Sequence, residues 1–256
     1  MKIILGALLL YGGVSFGSET IPYEVWVYSL YPASITRNKV LPFIEHLNQK
    51  LDSAFTVNIS SDATALLARC SAGQPALIFS SLPLSKKVEK KCGYHYLAVT
   101  YQDVFLYALK KPSVATLEGV RKLGVVGKFE ATKIALGELN SIGKKVSVVE
   151  YSSFYELIKN FRIDHVDGAI LPSGVMATAN NFSKNWVPVY KFKGKGVATA
   201  MVAPQLDVKI QRRIADILLS NDDVVSNVFQ QGFGIGAFES PQTLEHPQRE
   251  LGPADR

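Results

Sequence analysis

The sequence predicts an α/β protein of two similar lobes with mixed, mostly parallel sheets. Short apolar strands alternate with amphipathic helices along most of the chain, as in parallel sheets covered by helices. A strand–helix–strand–helix–strand order occurs before residue 100 and again after residue 123. Residues 76–80 are a short apolar run, as expected of a central strand buried on both faces.

Each element has its own signal. YEVWVYS (23–29) is a strand, 30–38 a loop, and a helix then runs to about 51 on a stripe of Val40, Ile44, Leu47 and Leu51. Pro42 is expected in its first turn, where the missing N–H matters least. Residues 55–60 form a strand. Ser61 is expected to cap a helix over 62–72 that Gly73 ends. Ser85 is expected to cap a basic helix to 92 carrying Lys86, Lys87, Lys90 and Lys91, a solvated face by default. Strands follow at 94–100 and 104–110.

Residues 112–143 supply a helical turn (114–120), a buried strand (123–126), a turn at Gly127 and a helix over 130–141. Such strand-to-helix turns are where open α/β sheets hold ligands. A strand at 146–150 precedes a helix at 154–161, whose Phe154, Leu157, Ile158 and Phe161 share one face. Ser153 and Glu156 have the spacing of a capping box before it. Strands at 166–171, 186–190 and 199–203 and helices at 173–179, 207–219 and 222–231 complete the pattern. Gly232, Gly234 and Gly236 read as turns, and the polar, proline-bearing stretch from 240 as a loose tail.

Composition narrows the function classes. In 256 residues, 47% are hydrophobic, which supports a sizeable core. The net charge of +6 is scattered among acids, which favours anionic solutes without implying nucleic acid. Lys2, the apolar stretch 3–11 and small residues up to Ser18 have the order of a cleaved export signal, against the alternative of a buried strand. Residues 1–18 are therefore expected to be removed, leaving a periplasmic protein. Cys70 and Cys92 are the whole cysteine complement. In an oxidising compartment an even pair near the ends of consecutive helices predicts one disulfide, with two buried thiols as the alternative.

The order of several stretches resembles a known family. They are YSLYPAS and LPFIEHLNQKL after the first strand, SSDATALLARCSAGQPALIFSSLP, SVATLEGVRKLGVVG, FYELIKNFRIDHVDGAILPSGV and AMVAPQLDVKIQRRIADILLSND. Together they resemble the periplasmic phosphonate-type solute-binding proteins, a branch of the type 2 periplasmic binding protein fold. The resemblance covers most of residues 23–236. It implies one lobe from 19–101 plus 203–239 and a second from 102–202, with 240–256 as tail. It implies capture of a small polar ligand of the phosphonate or phosphate kind for an inner-membrane ABC permease. The same fold as a sensor module for a membrane signalling protein is the second reading.

A ligand in such a fold sits between the lobes at the carboxyl ends of strands. The candidates are therefore turn residues: Tyr28, Tyr31, Ser60, Ser61, Ser80, Ser81, Tyr101, Thr132, Ser152, Ser153 and Ser173. Hydroxyls and helix N–H groups can hold an oxyanion. Ser61, Ser153 and Ser173 equally suit helix caps, and Tyr31 and Tyr101 suit hinge packing. Glu130 departs from the family pattern by placing a carboxylate where the helix start would favour an anion. Nucleophile elbows, metalloprotease motifs and phosphate-binding loops are absent from the sequence. Asp164, His165 and Asp167 read as a solvated turn. The expectation is a non-enzymatic monomer without cofactor, metal or nucleic-acid partner.

Overall fold

The structure is a computed structural model that describes residues 22–111, 113–178 and 185–244. The expected export signal (1–18) and the tail beyond Leu244 lie outside the described residues.

The chain begins with β1 (Tyr23–Tyr28), α1 (Ala33–Leu51), β2 (Phe55–Ser60), α2 (Ala63–Ser71), β3 (Pro75–Ser81), α3 (Leu82–Cys92) and β4 (His95–Gln102). It continues with β5 (Val104–Leu109), β6 (Lys122–Val126), α4 (Glu130–Ser141), β7 (Ser147–Tyr151), α5 (Phe154–Arg162), β8 (Gly168–Pro172), α6 (Ser173–Thr178) and β9 (Trp186–Lys191). It ends with β10 (Gly196–Val202), α7 (Val208–Ser220), a helical turn Asp223–Val225, a π-helical segment Ser226–Gly232 and a 3₁₀ turn Pro241–Leu244.

Two five-stranded sheets result, ordered β2-β1-β3-β10-β4 and β7-β6-β8-β5-β9. In the first, β1 is parallel to β2 and β3, and β10 is antiparallel to β3 and β4. In the second, β6 is parallel to β7 and β8, and β5 is antiparallel to β8 and β9. Both halves thus have the mixed α/β build expected from the repeated element order. Among the described residues the chain passes between sheets twice, at Asp103 and at residues 192–195. Lys191 and Asp103 join these passages by a salt bridge of 2.7 Å.

Each sheet has a core on both faces. In the first, Val40, Phe43, Leu47 and Ile214 pack on one face and Trp26, Leu66, Ile78 and Val88 on the other. In the second, Leu123, Ala135 and Leu139 lie on one face and Leu157, Phe161 and Trp186 on the other. Burying a Leu, Ile or Phe side chain stabilises by about 1.5–3 kcal/mol. Helix and strand assignments follow from these stripes more than from local propensity.

Several local expectations are corrected. α1 starts at Ala33, inside the expected loop, so Pro42 lies within the helix rather than in its first turn. Its ring is exposed, while Thr36, Val40, Phe43, Ile44, Leu47 and Leu51 are buried. That burial outweighs a proline penalty of about 3 kcal/mol. The cap of α2 is Asp62, which accepts from the Thr64 and Ala65 N–H groups, not Ser61. α3 starts at Leu82 after Ser81, with proline in its first turn, and Ser85 is fully buried inside it.

The stretch 114–120 forms turns rather than a helix, anchored by the Val114 and Ala115 N–H groups on the Lys111 carbonyl, both at 2.9 Å. The Ser153 hydroxyl caps α5 as expected, but the Glu156 carboxylate reaches Ser152, at 3.0 Å from its N and 2.8 Å from its Oγ. β10 begins at Gly196 and pairs within the first sheet, earlier than the expected return at 203. The chain also stays ordered past 240, since Pro241–Leu244 packs against β4.

Cys70 and Cys92 form a disulfide that ties the end of α2 to the end of α3 across 22 residues. A closed loop of that length stabilises by about 3 kcal/mol in the chain-entropy account. Unreduced, unfolded protein should therefore titrate no free thiol, and reduction should lower unfolding stability by about that amount. Asp62→Ala should cost about 1 kcal/mol in denaturant unfolding, whereas Ser61→Ala should be neutral within ~0.5 kcal/mol. Equal losses at both positions would contradict the assignment of the cap.

Candidate functional site

In both sheets the parallel strands end toward a common space, and the turns that follow them furnish its walls. After β1, Ser29 Oγ bonds Thr36 Oγ1 at 2.9 Å and accepts from the Tyr31 N–H at 3.1 Å. This fixes the loop that carries Leu30 and Tyr31. After β6, the Val126 carbonyl accepts from the Phe129 N–H at 3.0 Å and from Thr132 Oγ1 at 2.9 Å. That turn sets Phe129 and Glu130 at the start of α4. Phe154 is the first residue of α5, placed by the Ser153 cap.

A cavity of about 170 Å³, partly open to solvent, lies between the two sheets. It is slightly larger than a ~150 Å³ apolar cavity able to take up benzene. Six phenylalanines line it, Phe79, Phe129, Phe154, Phe229, Phe233 and Phe238, together with Tyr28 and Tyr31. Their rings form a path across the gap. Tyr31 lies 5.5 Å from Phe154 and 6.4 Å from Phe233, and Phe129 lies 5.3 Å from Phe154, centroid to centroid. Tilted and edge-on contacts of this kind each add about 0.5–1.5 kcal/mol beyond buried area.

Most polar side chains in the lining already bond within the protein. Ser80 Oγ meets Ser85 Oγ at 2.6 Å, and Ser85 Oγ also meets Thr199 Oγ1. Thr100 Oγ1 donates to the Gly236 carbonyl at 2.6 Å, and Gln102 Nε2 to the Phe233 carbonyl at 3.0 Å. The Tyr31 hydroxyl differs: it is buried and has no hydrogen-bond partner. An unpaired buried donor costs roughly 1–3 kcal/mol, and this one is closed to a water-sized probe, so the ring rather than the hydroxyl faces the space.

Charge in the lining comes from Lys128 and Glu130. Burial pushes the Glu130 carboxyl above its usual range, and the Lys86 ammonium across the gap partly offsets this. Burial also raises the Tyr28 phenol, helped by the Asp62 carboxylate, and the Tyr31 phenol. Both tyrosines are therefore neutral donors at physiological pH.

The segment after the π-helical turn closes one end of the cavity. Ser173 Oγ donates to the Gly234 carbonyl at 2.7 Å, and the Gly236 N–H to the Tyr101 carbonyl at 2.6 Å. Gly234 has φ of +60°, and a Cβ on Gly174 would sit 1.4 Å from the Phe233 carbonyl oxygen. Glycine is required for that approach between the sheets.

Of the residues expected at a site, Tyr28, Tyr31, Ser80 and Ser81 line the cavity. Of the rest, six bond elsewhere in the protein. Ser60 Oγ accepts from the Asp62 N–H, Thr132 bonds Val126, Ser152 bonds Glu156, and Ser153 caps α5. Ser173 ties α6 to Gly234, and Tyr101 holds Gly236 while Lys195 lies over its ring at 6.0 Å. Asp164, His165 and Asp167 diverge to Lys111, Tyr151 and the backbone N–H groups of Arg121 and Lys122. The sequence reading missed the phenylalanines. One carried a signal: Phe129 stands at a helix start directly after a strand-end turn, whereas Phe154 reads as part of the apolar face of α5.

No protein-family model matches the chain. No curated protein matches it by sequence. Solved structures do match. A binding-protein component of an ABC phosphonate transporter from Pseudomonas aeruginosa aligns with a TM-score of 0.66 at 10% identity, over 86% of this chain and 81% of that one. The fold is that of the periplasmic binding proteins. PhnD1 from Prochlorococcus marinus, in complex with methylphosphonate, aligns with a TM-score of 0.68 at 10% identity, over 85% of this chain and 92% of that one. The periplasmic VFT2 domain of BvgS from Bordetella pertussis aligns with a TM-score of 0.55 at 13% identity, over 82% and 92%.

The raised Glu130 carboxyl has a pH signature. Its folded form favours the proton, so ionisation costs stability as pH rises from about 4.5, the unfolded value, and the cost is complete above the folded value. Glu130→Gln should therefore gain stability relative to the parent as pH rises above about 4.5. Parallel stability–pH curves in denaturant titrations would contradict this.

Proposed function

We propose that the chain is an exported solute-binding protein, which captures a small ligand between its two sheets and presents it to an inner-membrane ABC permease. The observation that carries this is the cavity between the strand tips, walled by residues from both sheets. In this reading the halves are lobes, 22–102 with 196–244 and 104–191, that close about the passages at Asp103 and 192–195. Hinge closure of this type needs few residues to change conformation. Tyr28, Tyr31, Ser80 and Ser81 face the ligand, with Phe129 and Phe154 from the second lobe.

The phosphonate-like or phosphate-like ligand implied by the resemblance has support from two neighbours, a phosphonate-transporter component and a methylphosphonate complex. The lining weighs against it. An oxyanion needs several donors at once, and here the serine, threonine and glutamine groups are largely committed. Glu130 adds repulsion. A sensing role for a membrane signalling protein is the second reading, favoured by the likeness to the BvgS domain.

A thermal-shift screen of fractionated cell metabolites tests capture. A ligand at one hundred times its Kd stabilises by about 2.7 kcal/mol, so at least one fraction should raise Tm and shrink the radius of gyration in solution scattering. Loss of solute uptake on deletion of the chain would support transport. Unchanged uptake with a lost transcriptional response would support sensing.

A further inference from the structure

The innermost lining of the cavity is hydrocarbon. Val27, Val40, Phe79, Phe154, Phe229 and Phe238 all line it, and each is less than a tenth exposed. Phe154 belongs to the second sheet's α5 and the other five to the first half of the fold, so the apolar surface faces the space from both sides.

This wall is set before any solute arrives. Phe229 lies 5.3 Å from Phe79 and 5.0 Å from Phe238, centroid to centroid, and the fully buried Phe43 backs Phe79 and Phe229 at 5.7 and 5.0 Å. On the opposite side the Ser153 cap starts α5 at Phe154, and Phe129 meets Phe154 edge-on at 5.3 Å. Rings packed from behind at interior density cannot turn away, so they present a fixed apolar surface. The polar lining is arranged differently. Ser29, Ser80, Thr100, Gln102 and Thr199 bond within the protein, so they are not a ready set of donors for an oxyanion. The charged residues of the lining, Lys128 and Glu130, keep contact with solvent, and the cavity is itself partly open. Apolar surface left against water is unfavourable in proportion to its area, and a hydrocarbon group that covers it gains in the same proportion.

We propose that the site recognises the hydrocarbon group of its solute, an alkyl chain or an aromatic ring, which lies against the phenylalanines while the solute's polar end stays in the open mouth. The ligand is then an amphiphilic organic compound, and phosphate and methylphosphonate, which have little or no hydrocarbon, are poor ligands. This assignment rests on the capture reading and names the part of the solute that the cavity selects.

Calorimetric titration of the purified protein tests it with series in which the head is constant and the hydrocarbon grows. Suitable probes are inorganic phosphate with methyl-, butyl-, hexyl- and phenylphosphonate, acetate with pentanoate and heptanoate, methylamine with butylamine and hexylamine, and ethanol with pentanol and benzyl alcohol. Each methylene that is covered should tighten binding about fourfold, so at least one series should gain about tenfold or more from its shortest to its longer members, with a negative heat-capacity change. A gain confined to phenylphosphonate and benzyl alcohol assigns an aromatic ring, and a gain along the alkyl members assigns a chain. Phe129→Asn removes one ring of the wall and places a favoured residue at the N-cap of α4, so the fold should hold, with the melting curve of the empty protein as a check. This variant should reduce the gain by about threefold to tenfold. Affinity that is flat or falls in every series that binds, or a gain unchanged in the variant, overturns hydrocarbon recognition and leaves capture standing. So does a stabilising metabolite fraction whose active component, identified by mass spectrometry, has neither an alkyl group of three or more carbons nor an aromatic ring. A component that carries one supports the proposal even where no probe binds. If no probe binds and no fraction stabilises the protein, capture itself is overturned.

Discussion

The structure depends on one constraint: two sheets of the same build are tethered by only two passages of chain, at Asp103 and at 192–195. A parallel strand sends its chain out at the carboxyl end, so β1, β3 and β6 all deliver their following turns to the space between the sheets. Tethers on one side keep those ends opposed. The cavity is therefore a product of topology, and side chains in the turns decide only its character. The salt bridge between Lys191 and Asp103 braces the tethers, but both partners are partly exposed, and such a pair is worth little by itself.

Two kinds of contact across the gap stand out among the described residues. One is aromatic, through Tyr31, Phe154 and Phe129. The other is backbone, through Gly174 against Phe233 and Gly234 beside Ser173. The first varies with whatever occupies the space, since the rings line it. The second leaves no room for a Cβ at Gly174, so it fixes how closely the halves approach at that end.

Much of the fold was legible because apolar stripes survive tertiary packing. The strand at the centre of the first sheet, the stripe of α5 and the repeated element order all emerged from periodicity. The errors have common physical roots. Pro42 obscured the start of α1 because a local penalty was weighed without the six buried positions that oppose it. Ser61 and Ser85 suited a cap chemically, yet Asp62 caps α2 and Ser85 spends its hydroxyl on Ser80 and Thr199. At the site, hydroxyls drew attention because oxyanion chemistry was expected. Phenylalanine in a cavity and phenylalanine in a core share one pattern in sequence. Only the strand-end position of Phe129 set it apart, since Phe154 reads as part of the α5 stripe.

The two tryptophans fall one to each half, which has a practical result. Trp26 is buried in the first sheet's core with the Arg69 guanidinium 5.9 Å from its ring. Trp186 is buried in the second, stacked on Phe161 at 4.6 Å. Neither lines the cavity. Tryptophan fluorescence is consequently a reporter of the packing of each half's core. Single replacements at these positions would show whether the halves melt together or in sequence.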